Sequence, residues 1–433
     1  MKKPVVGFAG MTHLGIVSAT GVASGGFETV CFDPDETLVA RLQARDLPVL
    51  EPGLDELLAS NSGRQHFTSA AKDLSRCDVV YLSQDVDTDD TGRSNTSALN
   101  ALIDLVVPNL KPDACLVVLS QVEPGFTRAI AAPPEDRRYY QVETLVFGRA
   151  VERVLKPERY IVGCSDPAKP LNPNFRAVLE AFGCPILPMR YESAELAKIS
   201  INMCLVASIS VANTMSELCE QVGAVWHEIV PALKLDQRIG PYSYLAPGLG
   251  IAGGNLERDL ATVIALAGQH GTDSRVVEAW LANNRHRRDW AVRTLRQHVL
   301  AHGDDPLVAV WGLAYKENTR SVKNSPSLAT LAQLPEVRVR LHDPVVPASK
   351  AGHPRAQEAA SALAAAQDAD ALMILTPWAE YREIPPGDIA AAMAGRTVLD
   401  PYRVLDSTAA RSAGLCYHTL GMPALDDTRQ EGR

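Results

Sequence analysis

Three polar residues share one face of a predicted long helix, and their types could support proton transfer. Residues 191–221 contain almost no glycine or proline, and their apolar side chains recur at helical spacing, which predicts about eight turns of helix. Glu195, Lys198 and Asn202 stand at positions i, i+3 and i+7, so one face carries all three. Because lysine is rarely buried without a partner, we expect Lys198 to reach a cleft or an acid; a solvated surface lysine is the alternative.

A glycine-dense loop that ends in charged residues lies further along the chain, at residues 250–259. Glycine allows the backbone to approach a ligand closely, so we interpret Gly250, Gly253 and Gly254 as the floor of a substrate site. A simple turn is the alternative interpretation. If the loop is a substrate site, Asn255 is the residue on which its chemistry depends.

The N-terminal segment has the pattern of a dinucleotide-binding unit. A buried strand at residues 5–9 runs into a glycine turn and a helix, and a second strand at 28–32 ends at Asp33. Asp33 is placed to accept a hydrogen bond from a ribose 2′-hydroxyl, which favours NAD over NADP. The predicted cofactor contacts in the turn are Gly10, Thr12, His13, Leu14 and Gly15.

This turn departs from the GxGxxG fingerprint because Thr12 occupies the position of the middle glycine. A side chain there reduces the room for the pyrophosphate, and we expect the Thr12 hydroxyl to donate to a phosphate instead. The alternative is a βαβ unit that no longer binds a cofactor.

Two further predicted strands, at residues 78–83 and 115–120, end in small polar residues. Open α/β sheets bind ligands at the carboxyl ends of their strands, so Ser83 and Gln121 are candidates to line the nicotinamide end of the cofactor. Ordinary polar residues at strand ends are the alternative interpretation.

Bulk composition limits the classes of protein to which the chain can belong. At 433 residues it is too long for a single hydrophobic core, so two or three domains are expected. The net charge of −9 and the pI near 5.6 argue against nucleic acid or a membrane surface as the main partner. The eight cysteines are scattered without a CxxC pair, no metal site is predicted, and neither a signal peptide nor an apolar run of transmembrane length is evident. We therefore expect a cytoplasmic protein.

Four motifs carry a resemblance to a known family, the UDP-glucose/GDP-mannose 6-dehydrogenases. Residues 50–57 resemble its EPGLDELL segment and residues 120–127 its STVPPGTT strand end. Residues 141–148 fall where the family has NPEFLREG, and residues 156–163 match the continuation of that segment. The resemblance covers nearly the whole chain.

The resemblance implies an α/β fold with two Rossmann-like parallel-sheet domains joined by a long central helix and a helical middle domain. An NAD-binding domain is implied at residues 1–190 and a central helical domain at 191–298. A nucleotide-sugar-binding domain is implied at residues 299–433. A homodimer that pairs through the 191–221 helix and a role in polysaccharide or natural-product biosynthesis are also implied.

The resemblance assigns catalytic roles to four residues that match the family's motifs. Lys198 and Asn202 match the oxyanion stabiliser and the substrate or water anchor, and Glu143 and Asp259 match two acids of the site. The loop at residues 250–259 aligns with GFGGSCFPKD without a gap. In that alignment Asn255 falls on the catalytic cysteine.

Three basic residues match positions that meet ligands in the family. Arg238 matches an arginine that contacts substrate across the dimer interface, and Arg403 matches one in a DGRN segment that meets substrate. Lys323 stands where an arginine meets the cofactor, and lysine is a poorer bidentate partner. Gln121 and Phe147 replace a threonine and the second acid of the site.

These substitutions change the reaction that the resemblance implies. The family oxidises a primary alcohol to a carboxylate in two hydride transfers, and a cysteine thiolate traps the aldehyde between them. An amide side chain cannot form the thiohemiacetal. We therefore expect an NAD-dependent oxidoreductase that acts on a nucleotide-linked sugar or similar alcohol and stops after one two-electron step. A redox-neutral epimerase that retains NAD, a non-catalytic protein that binds a nucleotide sugar, and four-electron oxidation by an unrecognised route are the alternatives.

Overall fold

The computed structural model describes residues 3–88, 94–252, 255–303 and 305–423, which fold as two compact units. The first unit comprises residues 1–201 and the second residues 202–433. The helical middle region therefore groups with the C-terminal sheet. The three-domain division implied by the resemblance stays a prediction.

The first unit is built on an eight-stranded sheet in the order β10-β9-β8-β7-β4-β1-β2-β3. All neighbouring strands are parallel except β8 and β9, and β5 pairs with β6 outside this sheet. The strands are β1 (Val6–Ala9), β2 (Thr29–Phe32), β3 (Gln65–Thr68), β4 (Val79–Leu82), β5 (Asp87–Thr88), β6 (Ser94–Asn95), β7 (Cys115–Val118), β8 (Arg138–Gln141), β9 (Tyr160–Cys164) and β10 (Ile186–Arg190).

Helices cover both faces of this sheet, as a mostly parallel sheet requires. Tyr81 of β4 belongs to one buried apolar cluster, whereas its neighbours Val80 and Leu82 belong to another. Successive side chains of a strand point to opposite faces, so the sheet is buried on both sides. The helices are α1 (His13–Ser24), α2 (Glu36–Gln43), α3 (Leu54–Ser60), α4 (Ser97–Val106), α5 (Phe126–Ala129), α6 (Ala150–Leu155) and α7 (Pro173–Glu180).

The predicted long helix is present as α8 (Tyr191–Val222), which has 32 residues and is about 48 Å long. Glu195, Lys198 and Asn202 are all buried, in agreement with the single face predicted for them. By length and composition α8 could cross a membrane, which the sequence analysis did not anticipate. A core helix of a soluble protein passes the same test, so this observation is weak evidence for a membrane span.

The second unit contains a six-stranded, fully parallel sheet in the order β13-β12-β11-β14-β15-β16. This is the second Rossmann-like sheet that the family resemblance implies. Its strands are β11 (Leu307–Trp311), β12 (Arg338–His342), β13 (Ala356–Glu358), β14 (Ala371–Ile374), β15 (Thr397–Leu399) and β16 (Cys416–His418). Its helices are α9 (Trp226–Leu235), α10 (Asn255–His270), α11 (Arg275–Arg288), α12 (Trp290–Leu295), α13 (Pro326–Ala332), α14 (Ala362–Ala366), α15 (Ala379–Arg382), α16 (Pro386–Ala392) and α17 (Ser407–Ser412).

The first βαβ segment of each sheet has the same local contact. An aspartate that follows its second strand binds the backbone of the turn that follows its first strand. Asp33 Oδ2 accepts the N–H of Met11 at 2.7 Å in the first unit. Asp343 Oδ2 accepts the N–H groups of Leu313 and Ala314 at 2.7 and 3.0 Å in the second. The two units thus share one local solution for turning the chain at the ligand-binding edge of a parallel sheet.

Both of these turns begin with a glycine in the left-handed region. The φ angle is 91° at Gly10 and 96° at Gly312. A Cβ at Gly10 would lie 2.9 Å from the backbone nitrogen of Gln84, and one at Gly312 would lie 2.4 Å from Cβ of Thr376. Close packing and backbone conformation therefore both require glycine here.

The glycine loop before α10 is held by a buried asparagine of α11. The N–H of Ile251 donates to Asn284 Oδ1 at 2.6 Å. Gly250 has a φ of 85°, and a Cβ there would lie 2.2 Å from the same oxygen. The first glycine of the loop is therefore needed for the fold of the loop itself.

Gly250→Ala is expected to lower the free energy of unfolding by about 2 kcal/mol, because the new Cβ meets Asn284 and the backbone is left-handed. The matched control is Gly268→Ala in the exposed part of α10, where a Cβ meets nothing within 4 Å. This control should raise stability by about 0.5–1 kcal/mol, because alanine favours the helix. Urea unfolding measures both, and equal stability of the two variants would contradict a need for glycine at position 250.

Candidate functional site

The turn between β1 and α1 has the close packing that a dinucleotide-binding turn needs. Helix α1 begins at His13 with Thr12 as its N-cap. A Cβ at Gly15 would lie 1.9 Å from the carbonyl oxygen of Gly10 and 2.9 Å from Oγ of Ser83. The last glycine of the fingerprint therefore allows the helix to pack against the strand, as NAD-binding folds require. The residues present fit a dinucleotide.

Two hydroxyl groups assigned to ligands form hydrogen bonds within the protein. Thr12 Oγ1 donates to the carbonyl oxygen of Ser83 at 3.2 Å and accepts the N–H of Asp85 at 2.9 Å. Ser83 is fully buried, and its hydroxyl lies 3.0 Å from the carbonyl oxygens of Ala9 and Gly10. That Thr12 donates to a phosphate and that the Ser83 side chain lines the nicotinamide end stay predictions. Both hydroxyls stabilise the turn.

Asp33 lies where the prediction places it, directly after β2. Its carboxylate is buried and accepts the N–H groups of Met11 and Asp35 at 2.7 and 3.0 Å. A carboxylate offers about four lone pairs, so these two bonds leave acceptor capacity for a ribose hydroxyl.

His13, a predicted cofactor contact, is bound to an acid that the sequence analysis did not assign to the site. His13 Nε2 lies 2.8 Å from Glu51 Oε1, and the His13 ring lies 4.2 Å from the ring of Phe147. Glu51 also accepts the N–H groups of Gly148 and Ala150 at the start of α6. Burial alone would raise the pKa of the Glu51 carboxyl, but the hydrogen bonds from His13, Gly148 and Ala150 outweigh it and lower the pKa. In the sequence, the signal that could have identified Glu51 is its place as an acid within a short turn motif.

Lys198 has the acidic partner that its position on the helix predicts. Lys198 Nζ lies 3.3 Å from Glu143 Oε2, and both side chains are almost fully buried. Oε1 of Glu143 accepts the N–H of Leu145. Glu143 lies two residues after the end of β8, so its contact with Lys198 of α8 places a cation near the carboxyl end of this strand. An ammonium and a carboxylate in this contact can exchange a proton with a hydroxyl group.

Glu195, one turn before Lys198, positions the loop that follows Gln121. Its carboxylate accepts the N–H groups of Gly125 and Thr127 at 2.6 and 2.9 Å. Burial raises the pKa of the Glu195 carboxyl, and these hydrogen bonds oppose the shift. Gln121 itself is half-buried.

In the second unit, two predicted catalytic residues are in direct contact. Asn202 Nδ2 donates to Asp259 Oδ2 at 2.5 Å, and both side chains are buried. The other carboxylate oxygen of Asp259 lies 3.3 Å from Nε of Arg258. Cys204 of α8 is exposed whereas Asn202 is buried, so this thiol lies on a different face, as expected.

Asn255 is the first residue of α10 and is exposed. It precedes Asp259 by four residues, which places both on one side of the helix. Gly253 and Gly254, predicted to form the floor of the site, lie outside the described residues.

Glu257, in the first turn of α10, has a role that the sequence analysis missed. Its carboxylate lies 3.1 Å from Nη2 of Arg288 and accepts the side-chain N–H of Asn324. Burial raises the pKa of the Glu257 carboxyl, and the charge of Arg288 opposes the shift. The start of α10 is thereby bound to the segment that contains Lys323, which is itself exposed.

The two predicted substrate-binding arginines occupy different environments. Arg238 is 88% exposed and forms a bidentate pair with Asp236, at 2.6 and 3.0 Å. Arg403 is half-buried and has a φ of 54°. Its positive φ shows that Arg403 is held in a strained backbone conformation, whereas Arg238 lies at the surface of the described chain. The charge of Arg403 also acts on His227, where it lowers the pKa in the same direction as burial does.

Family models match the chain along most of its length. An NAD binding domain model matches residues 4–180, a central domain model residues 192–286, and a UDP binding domain model residues 309–407. All three describe domains of the UDP-glucose/GDP-mannose dehydrogenase family.

Individual proteins are similar over nearly their whole length. UDP-glucose 6-dehydrogenase TuaD of Bacillus subtilis (strain 168) is 28% identical over 447 aligned positions, which cover 99% of this chain and 95% of the relative. A UDP-glucose 6-dehydrogenase of Pseudomonas aeruginosa is 29% identical over 440 positions, with 96% of each chain covered. The structure of a UDP-glucose dehydrogenase from Pyrobaculum islandicum superimposes with a TM-score of 0.84 at 27% identity and covers 96% of this chain and 97% of that one. The chain belongs to the UDP-glucose/GDP-mannose dehydrogenase family, and its cofactor is NAD.

Proposed function

We propose that this member of the family oxidises a nucleotide-linked sugar by a single two-electron step, without a covalent intermediate. The contact between Lys198 and Glu143 is the observation that carries the proposal. This pair can accept the hydroxyl proton of an alcohol, and that step needs no nucleophilic side chain. Similarity to UDP-glucose dehydrogenases and the match to a UDP binding domain support a nucleotide-linked substrate. The proposal places Asn255 at the position of the family's catalytic cysteine.

Each of these residues has a separate role in the oxidation of the alcohol. The C–H hydrogen leaves with both electrons of its bond, the hydroxyl proton passes to the Lys198–Glu143 pair, and a carbonyl forms. NAD, when bound, accepts the hydride. The side-chain N–H of Asn255 donates to the new carbonyl oxygen. The hydrogen bond between Asn202 and Asp259 fixes two side chains that orient the substrate or a water molecule.

Asn255 removes the covalent route to a second oxidation in this proposal. The aldehyde must first add a nucleophile before a second hydride can leave. An amide nitrogen is a poor nucleophile because its lone pair is delocalised into the carbonyl group, so no intermediate equivalent to a thiohemiacetal forms.

The number of NADH molecules formed for each substrate consumed tests the proposal. We expect one NADH per substrate when the protein is incubated with NAD and a panel of UDP-, GDP- and CDP-sugars. Two NADH per substrate would contradict a single oxidation. Conversion without net NADH would indicate a redox-neutral reaction, and absence of any conversion would indicate a binding protein.

Asn255→Cys is expected to restore a second oxidation and raise the yield to two NADH per substrate. A thiol at the first residue of α10 is favoured as thiolate, because a helix N-terminus lowers the pKa of cysteine. Intact-mass spectrometry of the reacting enzyme should then detect a substrate adduct. Asn255→Ala is the control and should form neither the adduct nor the second NADH. A yield that stays at one NADH in Asn255→Cys would show that this position alone does not limit the reaction.

Lys198→Met should lower kcat by about 10²–10⁴-fold, because the hydroxyl proton loses its acceptor pair. The matched control is Lys169→Met, since Lys169 also pairs with an acid but its side chain is 77% exposed. Calorimetry should show that both variants bind NAD as the unmodified protein does. If Lys198→Met kept more than about a tenth of the original kcat, Lys198 would have no role in proton transfer.

A further inference from the structure

An acidic residue lies at the start of α1, beside the turn that binds the cofactor. The N–H of Leu14 donates to Asp85 Oδ2 at 3.3 Å. The backbone N–H of Asp85 donates to Thr12 Oγ1 at 2.9 Å. The side chain of Asp85, an exposed residue, and its main chain therefore both contact the first turn of this helix.

The position of this carboxylate conflicts with the usual use of such a helix end. The first N–H groups of a helix have no partner within the helix, and the helix dipole makes this end favourable for anions. In dinucleotide-binding folds the pyrophosphate binds here. In this chain the Leu14 N–H is already bound to a negative charge of the protein itself.

Neighbouring titratable side chains already have their own partners. His13 and Glu143 are titratable side chains that act on Asp85 electrostatically. His13 binds Glu51 at 2.8 Å, and Glu143 binds Lys198 at 3.3 Å. The Thr12 hydroxyl, which would otherwise be a donor for phosphate, donates to Ser83. The first turn of α1 therefore presents less positive potential to a pyrophosphate than its backbone alone would provide.

We propose that Asp85 competes with the pyrophosphate of NAD for the start of α1 and thereby weakens cofactor binding. NAD binds when the Asp85 carboxylate moves away from Leu14 or loses its charge. The proposal rests on NAD binding by this turn, which the proposed function also needs, but it concerns affinity and not the number of hydride transfers. It makes the loop after β4 a determinant of how tightly the cofactor is held.

Asp85→Asn tests this proposal, because the amide keeps an oxygen acceptor for the Leu14 N–H and removes only the charge. Calorimetry should show binding of NAD about tenfold tighter in Asp85→Asn, because a like charge a few ångströms from the pyrophosphate is removed. ADP-ribose, which keeps the pyrophosphate but lacks nicotinamide, should gain equally. Adenosine, which lacks the pyrophosphate, should bind both proteins with the same affinity.

Asp87→Asn is the matched control, since Asp87 is an exposed acid two residues away in β5, and it should leave all three affinities unchanged. Asp85→Ala is a second variant that should also tighten NAD binding, and circular dichroism checks that each variant folds. Unchanged or weaker NAD binding in folded Asp85→Asn would overturn the proposal. An equal gain for adenosine, or for Asp87→Asn, would also overturn it. NADH stoichiometry is independent of these measurements, so failure of the proposed reaction would be distinguishable.

Discussion

The buried polar face of α8 is the constraint on which the candidate site residues within each unit depend. Glu195, Lys198 and Asn202 are buried on a helix that is otherwise largely apolar. A buried charge or amide without a partner costs several kcal/mol, so each of these side chains requires a specific neighbour. Within the first unit, Glu195 binds the loop after β7 and Lys198 binds Glu143. Within the second, Asn202 binds Asp259. The need to satisfy these groups brings each of these side chains into contact with a partner in its own unit.

A second constraint acts at the edges of the two parallel sheets. Gly10 and Gly312 turn the chain where a Cβ would collide, and Asp33 and Asp343 bind the backbone of those turns. The repetition of this arrangement shows that the acid after the second strand has a structural role in addition to any contact with ribose. The assignment of Asp33 to a cofactor is therefore compatible with its hydrogen bonds within the protein.

Membership of the family determines the scaffold and the cofactor, whereas the proposed reaction rests on single positions. The proposed function depends on Asn255, because the character of its side chain decides whether an aldehyde can be held covalently. The proposed competition at α1 depends on Asp85 in the same way, because one carboxylate changes the charge at a conventional anion site. A scaffold of this kind can therefore change its chemistry while the fold persists.

The sequence by itself determined the elements and the general kind of site. Helix α8, the strands β1, β2, β4 and β7 of the first sheet and the glycine turn before α1 follow from periodicity and from glycine positions, which are local properties of the chain. The need of Lys198 for an acid also follows from its neighbours on the helix. The acid itself, Glu143, was named only because of the family resemblance, since it lies 55 residues away.

Only the tertiary structure decided which polar groups are used within the protein. Thr12 and Ser83 carry hydroxyls of the right type at the right strand ends, yet contacts across about 70 residues of chain direct them to backbone carbonyls. Glu51 was paired with His13 in the same way, across 38 residues. Residue type and spacing show which hydrogen bonds a side chain can make. Which of them it does make depends on long-range packing, because a buried donor takes whichever acceptor the fold brings within reach.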